Sequence, residues 1–176
     1  MSSDKLTVQL DALHERTDKT WERHKALLPK TDDPALTILK GHLMIEEMLM
    51  VIAVDHCPHP EHLMKARLTF AQLSYLTRAM VRLPMPTTCW EAIDLLNAIR
   101  NALVHNLEPR DLQAKLCALQ RLCTPKEPIG PPGYEPPTEP QKIAEQCICY
   151  IMGQLSVLTV VATFIVKNLQ LPDSAA

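Results

Sequence analysis

Apolar side chains recur every three or four residues along most of the chain, the period that lays one face of an α-helix against a core. The first stripe, Leu6, Leu10, Leu13, Thr17, Trp21, His24 and Leu28, predicts a helix from about Asp4 to Leu28. A second helix opens at Asp33, whose short carboxylate can accept from orphaned backbone N–H groups, followed by Pro34, well tolerated at a first helical position. It carries Leu36, Leu39, Leu43, Met44, Met48, Val51 and Ile52 and should end near Asp55. A third is predicted from about Glu61 to Met80, through Leu63, Met64, Leu68, Ala71, Leu73, Tyr75 and Leu76, before Pro84 and Pro86 stop it.

Proline also marks the later boundaries, because it cannot donate a helical hydrogen bond. Thr88-x-x-Glu91 reads as a capping box opening a fourth helix that reaches about Asn106. After Pro109 a shorter helix is expected from Asp111 to Leu122. Residues 124–140, TPKEPIGPPGYEPPTEP, hold seven of the fifteen prolines and two of the four glycines, which forbids a helix or a sheet ladder. The stretch reads as a semi-rigid surface loop. The last helix, from Lys142 to Leu169, is apolar nearly all round, so it should lie at the centre of the bundle or across an oligomer interface. The expected fold is a single all-α domain spanning 1–176: a bundle of about five to six helices, with its core in 4–123 and 141–170.

Composition narrows this picture. Of 176 residues 47% are hydrophobic but only 4% aromatic, a balance that suits helix-on-helix packing better than a sandwich or barrel. A formal net charge of −2 gives no global positive field to gather a polyanion. The six cysteines, 57, 89, 117, 123, 147 and 149, show no C-x-x-C spacing, which points to free thiols in a reducing, cytoplasmic setting. Residues Gln146 to Val166 carry no charge over 21 positions, nominally enough to cross a bilayer. Gln154, Ser156, Thr159 and Thr163 interrupt the run and only Lys167 flanks it, so a buried core helix is expected and no membrane partner.

Two clusters carry candidate chemistry. His56, Cys57, His59 and His62 lie within seven residues and are ligand types that suit zinc, but Pro58 and Pro60 restrict their convergence. A polar interhelix turn is the preferred reading, and no metal site is assigned. The fourth helix reads AIDLLNAIRNALVHNL. At about 100° per residue its polar members Asp94, Asn97, Asn101 and His105 form one narrow stripe opposite Leu95, Ile99 and Leu103. Arg100 falls at the edge of the apolar face, about 140° from His105. Asp and Asn are poor helix formers, so such a stripe has a cost that a merely solvated face of Glu and Lys would avoid.

The stretch from Leu96 to Asn106 resembles the R-x4-6-H motif of the HEPN superfamily, with Arg100 and His105 as its marked residues and Asn101 matching a common form. The likeness covers the helical layout from about Asp33 to Asn106 and, more loosely, the final helix. It implies a metal-independent endoribonuclease without a cofactor, acting as a homodimer on RNA, of the kind found among toxins and defence effectors and held in check by a protein antitoxin or regulator. Other members of the superfamily are non-catalytic helical interaction modules. Leu107 stands where the variety paired with nucleotidyltransferase antitoxins has a tyrosine two positions after the histidine, so control by modification of that tyrosine is not expected. In the catalytic reading His105 moves protons, Arg100 stabilises phosphoryl oxygens, and Asn101 orients the imidazole or binds phosphate. The stripe Asn97, Asn101, His105 is expected at or beside the dimer interface. Glu46 and Glu47 are supporting candidates, one of which could pair with Arg100.

Overall fold

The computed structural model describes residues 3–81, 85–106, 109–124 and 135–168, and the side chains of all but 3–6, 9–10 and 161–168 among them. Every regular element among the described residues is helical: α1 (Ser3–Leu27), α2 (Pro34–His56), α3 (Pro60–Leu63), α4 (Phe70–Met80), α5 (Thr87–His105), α6 (Leu112–Cys123) and α7 (Pro140–Asn168). The all-α expectation holds. Helix number is seven among the described residues, because the predicted helix from Glu61 to Met80 divides.

Local side-chain chemistry causes that division. Thr69 accepts from the Gln72 backbone N–H while the Gln72 side chain accepts from the Thr69 N–H, a reciprocal capping box that restarts the chain as α4. Just before it, Arg67 adopts φ 47°, the left-handed region where an α-helix cannot continue. Met64 and Tyr75, placed on the apolar stripe from sequence, are exposed. The capping box expected at Thr88 and Glu91 does not form. α5 begins two residues earlier than that cap implies, at Thr87, with Pro86 as its cap and no side-chain cap bond.

The second helix starts as its sequence dictates. Asp33 Oδ1 accepts from the N–H groups of Ala35 at 2.9 Å and Leu36 at 3.2 Å, and Pro34 supplies the first turn. Ile38, Ile45, Leu49 and Ile52 of α2 are fully buried, each contributing roughly 1.5–3 kcal/mol relative to exposure. α2 shares the centre of the bundle with α7, whose Ile143, Ile148, Ile151 and Leu155 are also buried. The two run parallel: Thr37 meets Gln141 in a buried hydrogen-bonded pair, and further along Gly41 meets Ile148. A Cβ at Gly41 would overlap the Ile148 side chain, so glycine sets how closely these helices approach.

Around this pair the remaining helices take their directions from individual contacts. α1 runs antiparallel to α2, with Lys40 Nζ near Leu27 O, Glu47 beside Arg23 and His24, and Asp55 beside Arg16. α4 runs parallel to α2, with Phe70 against His42 and Thr77 donating to Leu49 O. α5 returns antiparallel to α4, placing Trp90 under Arg78 and Asn97 against His42. α6 closes the far side, where Cys123 Sγ approaches Cys147 O at 3.9 Å.

The segment Pro140–Val160 of α7 is long and apolar enough to cross a membrane, and half of its most apolar stretch is buried inside the bundle. Within the Pro-rich loop, 125–134 lies outside the described residues. Positions 135–138 form no regular element, and Pro137 O accepts from Gln120 Nε2 at 2.7 Å.

Candidate functional site

The last two turns of α5 carry the two marked residues. Buried Ile93, Leu96 and Ile99 fix which face of α5 turns inward, and the rest of the helix follows from its 3.6-residue period. On this wheel Asp94, Asn101 and His105 are exposed, as the polar stripe anticipates. Asn97 departs from it. Half-buried, it accepts at Oδ1 from His42 Nε2 at 3.1 Å, and because a carbonyl oxygen only accepts, this bond fixes the proton on Nε2.

His42 is the residue that sequence reasoning missed. It is 3% exposed, and its ring stacks on Phe70 with centroids 4.0 Å apart and planes 28° from parallel. Burial holds its imidazole below the ordinary value; the Asn97 hydrogen bond opposes this, and the positive charge of Arg100 reinforces it. A neutral core histidine therefore stands directly behind the motif helix. Its only sequence signal is a lone polar ring within the apolar run of α2.

Arg100 is half-buried at the edge of the core, where the wheel puts it. Its Nη1 donates to Asn101 Oδ1 at 3.1 Å, which turns the guanidinium around the helix toward the polar stripe. His105 closes α5 in its last turn, next to Val104, an apolar side chain 52% exposed. Asn106 caps the helix, its Nδ2 donating to Ala102 O at 3.1 Å. Three turns earlier along the stripe, burial pushes the Asp94 carboxyl above its ordinary value, against the opposing charge of Arg78.

The pairing that Glu46 or Glu47 could have made with Arg100 is not formed. Glu47 points away from α5 to the opposite flank of α2, where Arg23 Nη1 donates to Oε1 and His24 Nε2 lies 3.6 Å from Oε2. Five residues on a helix are about 140°, so Glu47 cannot share the face that His42 presents to α5. Glu46 is half-buried one turn beyond His42 and makes no ion pair with Arg100.

The histidine-rich turn does not gather into a metal site among the described residues. His56 Nδ1 bonds Ile52 O at 2.7 Å at the end of α2, whereas His59 and His62 flank Glu61 at 3.6 and 3.5 Å on the exposed start of α3. The two prolines hold these groups on separate elements.

What the motif end of α5 offers is therefore an exposed imidazole and an exposed carboxamide on one face, with a guanidinium bonded to that carboxamide. Comparison with protein-family models, with curated proteins and with solved structures finds no match for this chain.

Proposed function

We propose that the protein is a HEPN-like, metal-independent endoribonuclease that acts as a homodimer, with Arg100 and His105 as its catalytic residues. The observation that carries this reading is the Arg100 to Asn101 hydrogen bond. On a bare helical wheel Arg100 and His105 diverge by about 140°. With the guanidinium turned onto Asn101, both side chains address the side of α5 that carries the stripe.

The chemistry follows from the residue types. His105 takes the proton from a ribose 2′-hydroxyl, whose oxygen attacks the adjacent phosphorus. The bond from phosphorus to the 5′-oxygen breaks, that oxygen receives a proton from the imidazole of the second protomer, and a 2′,3′-cyclic phosphate remains. Arg100 meets the charge developing on the non-bridging oxygens through its planar fork of donors. Exposed Val104, beside His105, gives two copies an apolar contact around which to pair.

Net charge limits the substrate. A chain at −2 cannot rely on diffuse attraction, so RNA would be held by local cations such as Arg78, Lys65 and Arg67, pooled across a dimer. A toxin or defence role, a cytoplasmic location and a neutralising protein partner belong to the same proposal.

A specific observation favours a second reading. Asn97, one member of the stripe, is committed to core residue His42 rather than presented to a substrate. In that reading the stripe ties together a non-catalytic dimeric regulatory module of the same fold. Incubation with single-stranded RNA in EDTA, alongside His105→Ala, separates the two. The ribonuclease reading requires cyclic phosphate ends and their loss in the variant; light scattering that shows only monomer removes the dimeric site.

A further inference from the structure

α4 and α5 lie side by side in opposite directions, and contacts at two levels fix their register. Phe70, the first residue of α4, stacks on His42, whose Nε2 donates to Asn97 midway along α5. Near the other end of α4, Arg78 lies over the Trp90 ring, 5.8 Å from its centroid. Buried Phe70, Leu73 and Thr77 turn one face of α4 to the core, so Arg78 leans toward α5 and Tyr75 lies about 60° further out on the wheel. On α5, Asn101 likewise lies about 40° further out than Asn97. The outer flanks of the two helices thus border one surface seam, which leads from the motif end of α5 along α4.

This seam carries an uncovered aromatic ring between two exposed cations. Tyr75 is 61% exposed, although aromatic rings usually supply much of the area a fold buries. Arg67, just before the start of α4, and Arg78, near its end, are exposed. Arg16 and Arg23 are each paired with a carboxylate, whereas Arg67 and Arg78 have none within ion-pair distance among the described residues. An open ring flanked by unpaired arginines is the combination that holds single-stranded nucleic acid, by stacking a base and meeting its phosphates. Asp94 is the acidic group of the seam, close enough to Arg78 for the two charges to interact. Its carboxylate repels a phosphate but accepts from a base N–H, so a strand lying here turns its bases inward and its phosphates out toward the arginines.

We propose, resting on the ribonuclease reading, that the α4–α5 seam binds the single-stranded RNA next to its scissile phosphate, with a base stacked on Tyr75 and neighbouring phosphates on Arg67 and Arg78. Duplex RNA does not fit, because its bases are already stacked on one another. Phe70 and Asn97 are level through His42, and Tyr75 and Asn101 lie beyond them in opposite directions, on the order of 13 Å apart along the helix axes. A strand therefore needs roughly two to four nucleotides beyond the cleaved bond to reach the ring.

The test is fluorescence anisotropy of a labelled single-stranded decanucleotide RNA with the full chain carrying His105→Ala, which leaves the strand intact. Adding Tyr75→Ala should weaken binding by about fivefold or more, and Tyr75→Phe should bind within about twofold of the parent. Arg67→Gln and Arg78→Gln should each lower the slope of log affinity against log salt by about 0.7. A duplex of the same sequence should be indifferent to Tyr75→Ala. No binding of the decanucleotide, an unchanged affinity in Tyr75→Ala, or equal losses for strand and duplex overturns the proposal. With His105 intact, Tyr75→Ala should raise KM for the decanucleotide and leave KM for a dinucleotide, too short to reach the ring, unchanged. RNA held at the seam in a Tyr75-dependent way but never cut would remove the ribonuclease reading and leave the seam. RNA cut with a KM indifferent to Tyr75 would remove the seam and leave the ribonuclease reading.

Discussion

Two histidines are buried on opposite flanks of the same helix-centred core, and they are built into it in opposite ways. His42, on the α5 side of α2, bonds Asn97 and stacks on Phe70. His24, on the α1 side, has an ion-pair distance to Glu47, a cleft beside it and no hydrogen bond among the described residues. The first arrangement anchors a motif helix to the core. The second leaves both ring nitrogens sealed in the core without a hydrogen bond among the described residues. Both rings keep an unpartnered Nδ1 among the described residues; what differs is that His42 spends Nε2 on Asn97 whereas His24 spends neither nitrogen.

The largest expected effect concerns the third face of α2, which sets the scale for both flanks. Gly41→Val forces a branched side chain into Ile148 and should cost about 3 kcal/mol, measured by urea unfolding. A loss below about 1 kcal/mol would mean that α2 and α7 can separate easily, and that neither flank is held by a rigid centre.

Next come the two histidines themselves. His42→Leu leaves Asn97 with a lost partner against the core and should destabilise by roughly 2 kcal/mol. His24→Leu removes no hydrogen bond among the described residues and should be neutral within about 1 kcal/mol. Equal losses at both sites would mean that the two rings are held in the core alike.

Acidification should affect both flanks together. Burial holds both imidazoles below the ordinary 6.5. Beneath that pH the unfolded chain therefore takes up protons that the native chain refuses. The contribution is complete above the ordinary imidazole value and is lost as pH falls toward the lowered native values. Glu47, held below its ordinary 4.5 mainly by the Arg23 hydrogen bond, adds a further loss at still lower pH. Thermal unfolding between pH 7 and 5 should show a falling midpoint, and His42→Gln should flatten that slope. A midpoint that rises on acidification would contradict the assignment of neutral buried rings.

The smallest effect serves as a reference. Glu15→Gln breaks only the exposed pair with Lys19 on the outer face of α1 and should change stability by less than about 0.5 kcal/mol. A larger loss would show that α1 is marginal throughout, so that any effect of substituting His24 reflects the helix and not its cleft.

Much of the architecture is legible in the chain because it depends on local rules. Asp33 followed by Pro34 specifies the start of α2, and the spacing of Ile93, Leu96 and Ile99 specifies the inner face of α5. The split between α3 and α4 was harder to read, because the apolar period continues across Arg67 while Thr69 and Gln72 restart the helix through their own side chains. The same competition makes Thr88 and Glu91 a misleading signal. Their spacing suits a capping box, but the chain enters α5 through Pro86.

At the site, periodicity places Arg100, Asn101 and His105 on the right sides of α5. It is blind to tertiary partners. Nothing in the sequence says that Asn97 would find His42 across the α2–α5 seam, 55 positions away, or that Glu47 would turn to α1 instead of to Arg100. Those choices depend on which helix faces which flank of α2.

Under the proposed function the exposed end of α5 cleaves RNA with Arg100 and His105. The most direct measurement is the single-turnover rate of single-stranded RNA cleavage in EDTA by the purified wild-type chain and by His105→Ala. The wild type should leave cyclic phosphate ends, and the variant should be slower by about 10²–10⁴-fold at unchanged thermal stability. Cleavage by the variant at the wild-type rate, or no cleavage by a wild-type protein confirmed as a dimer, would contradict it.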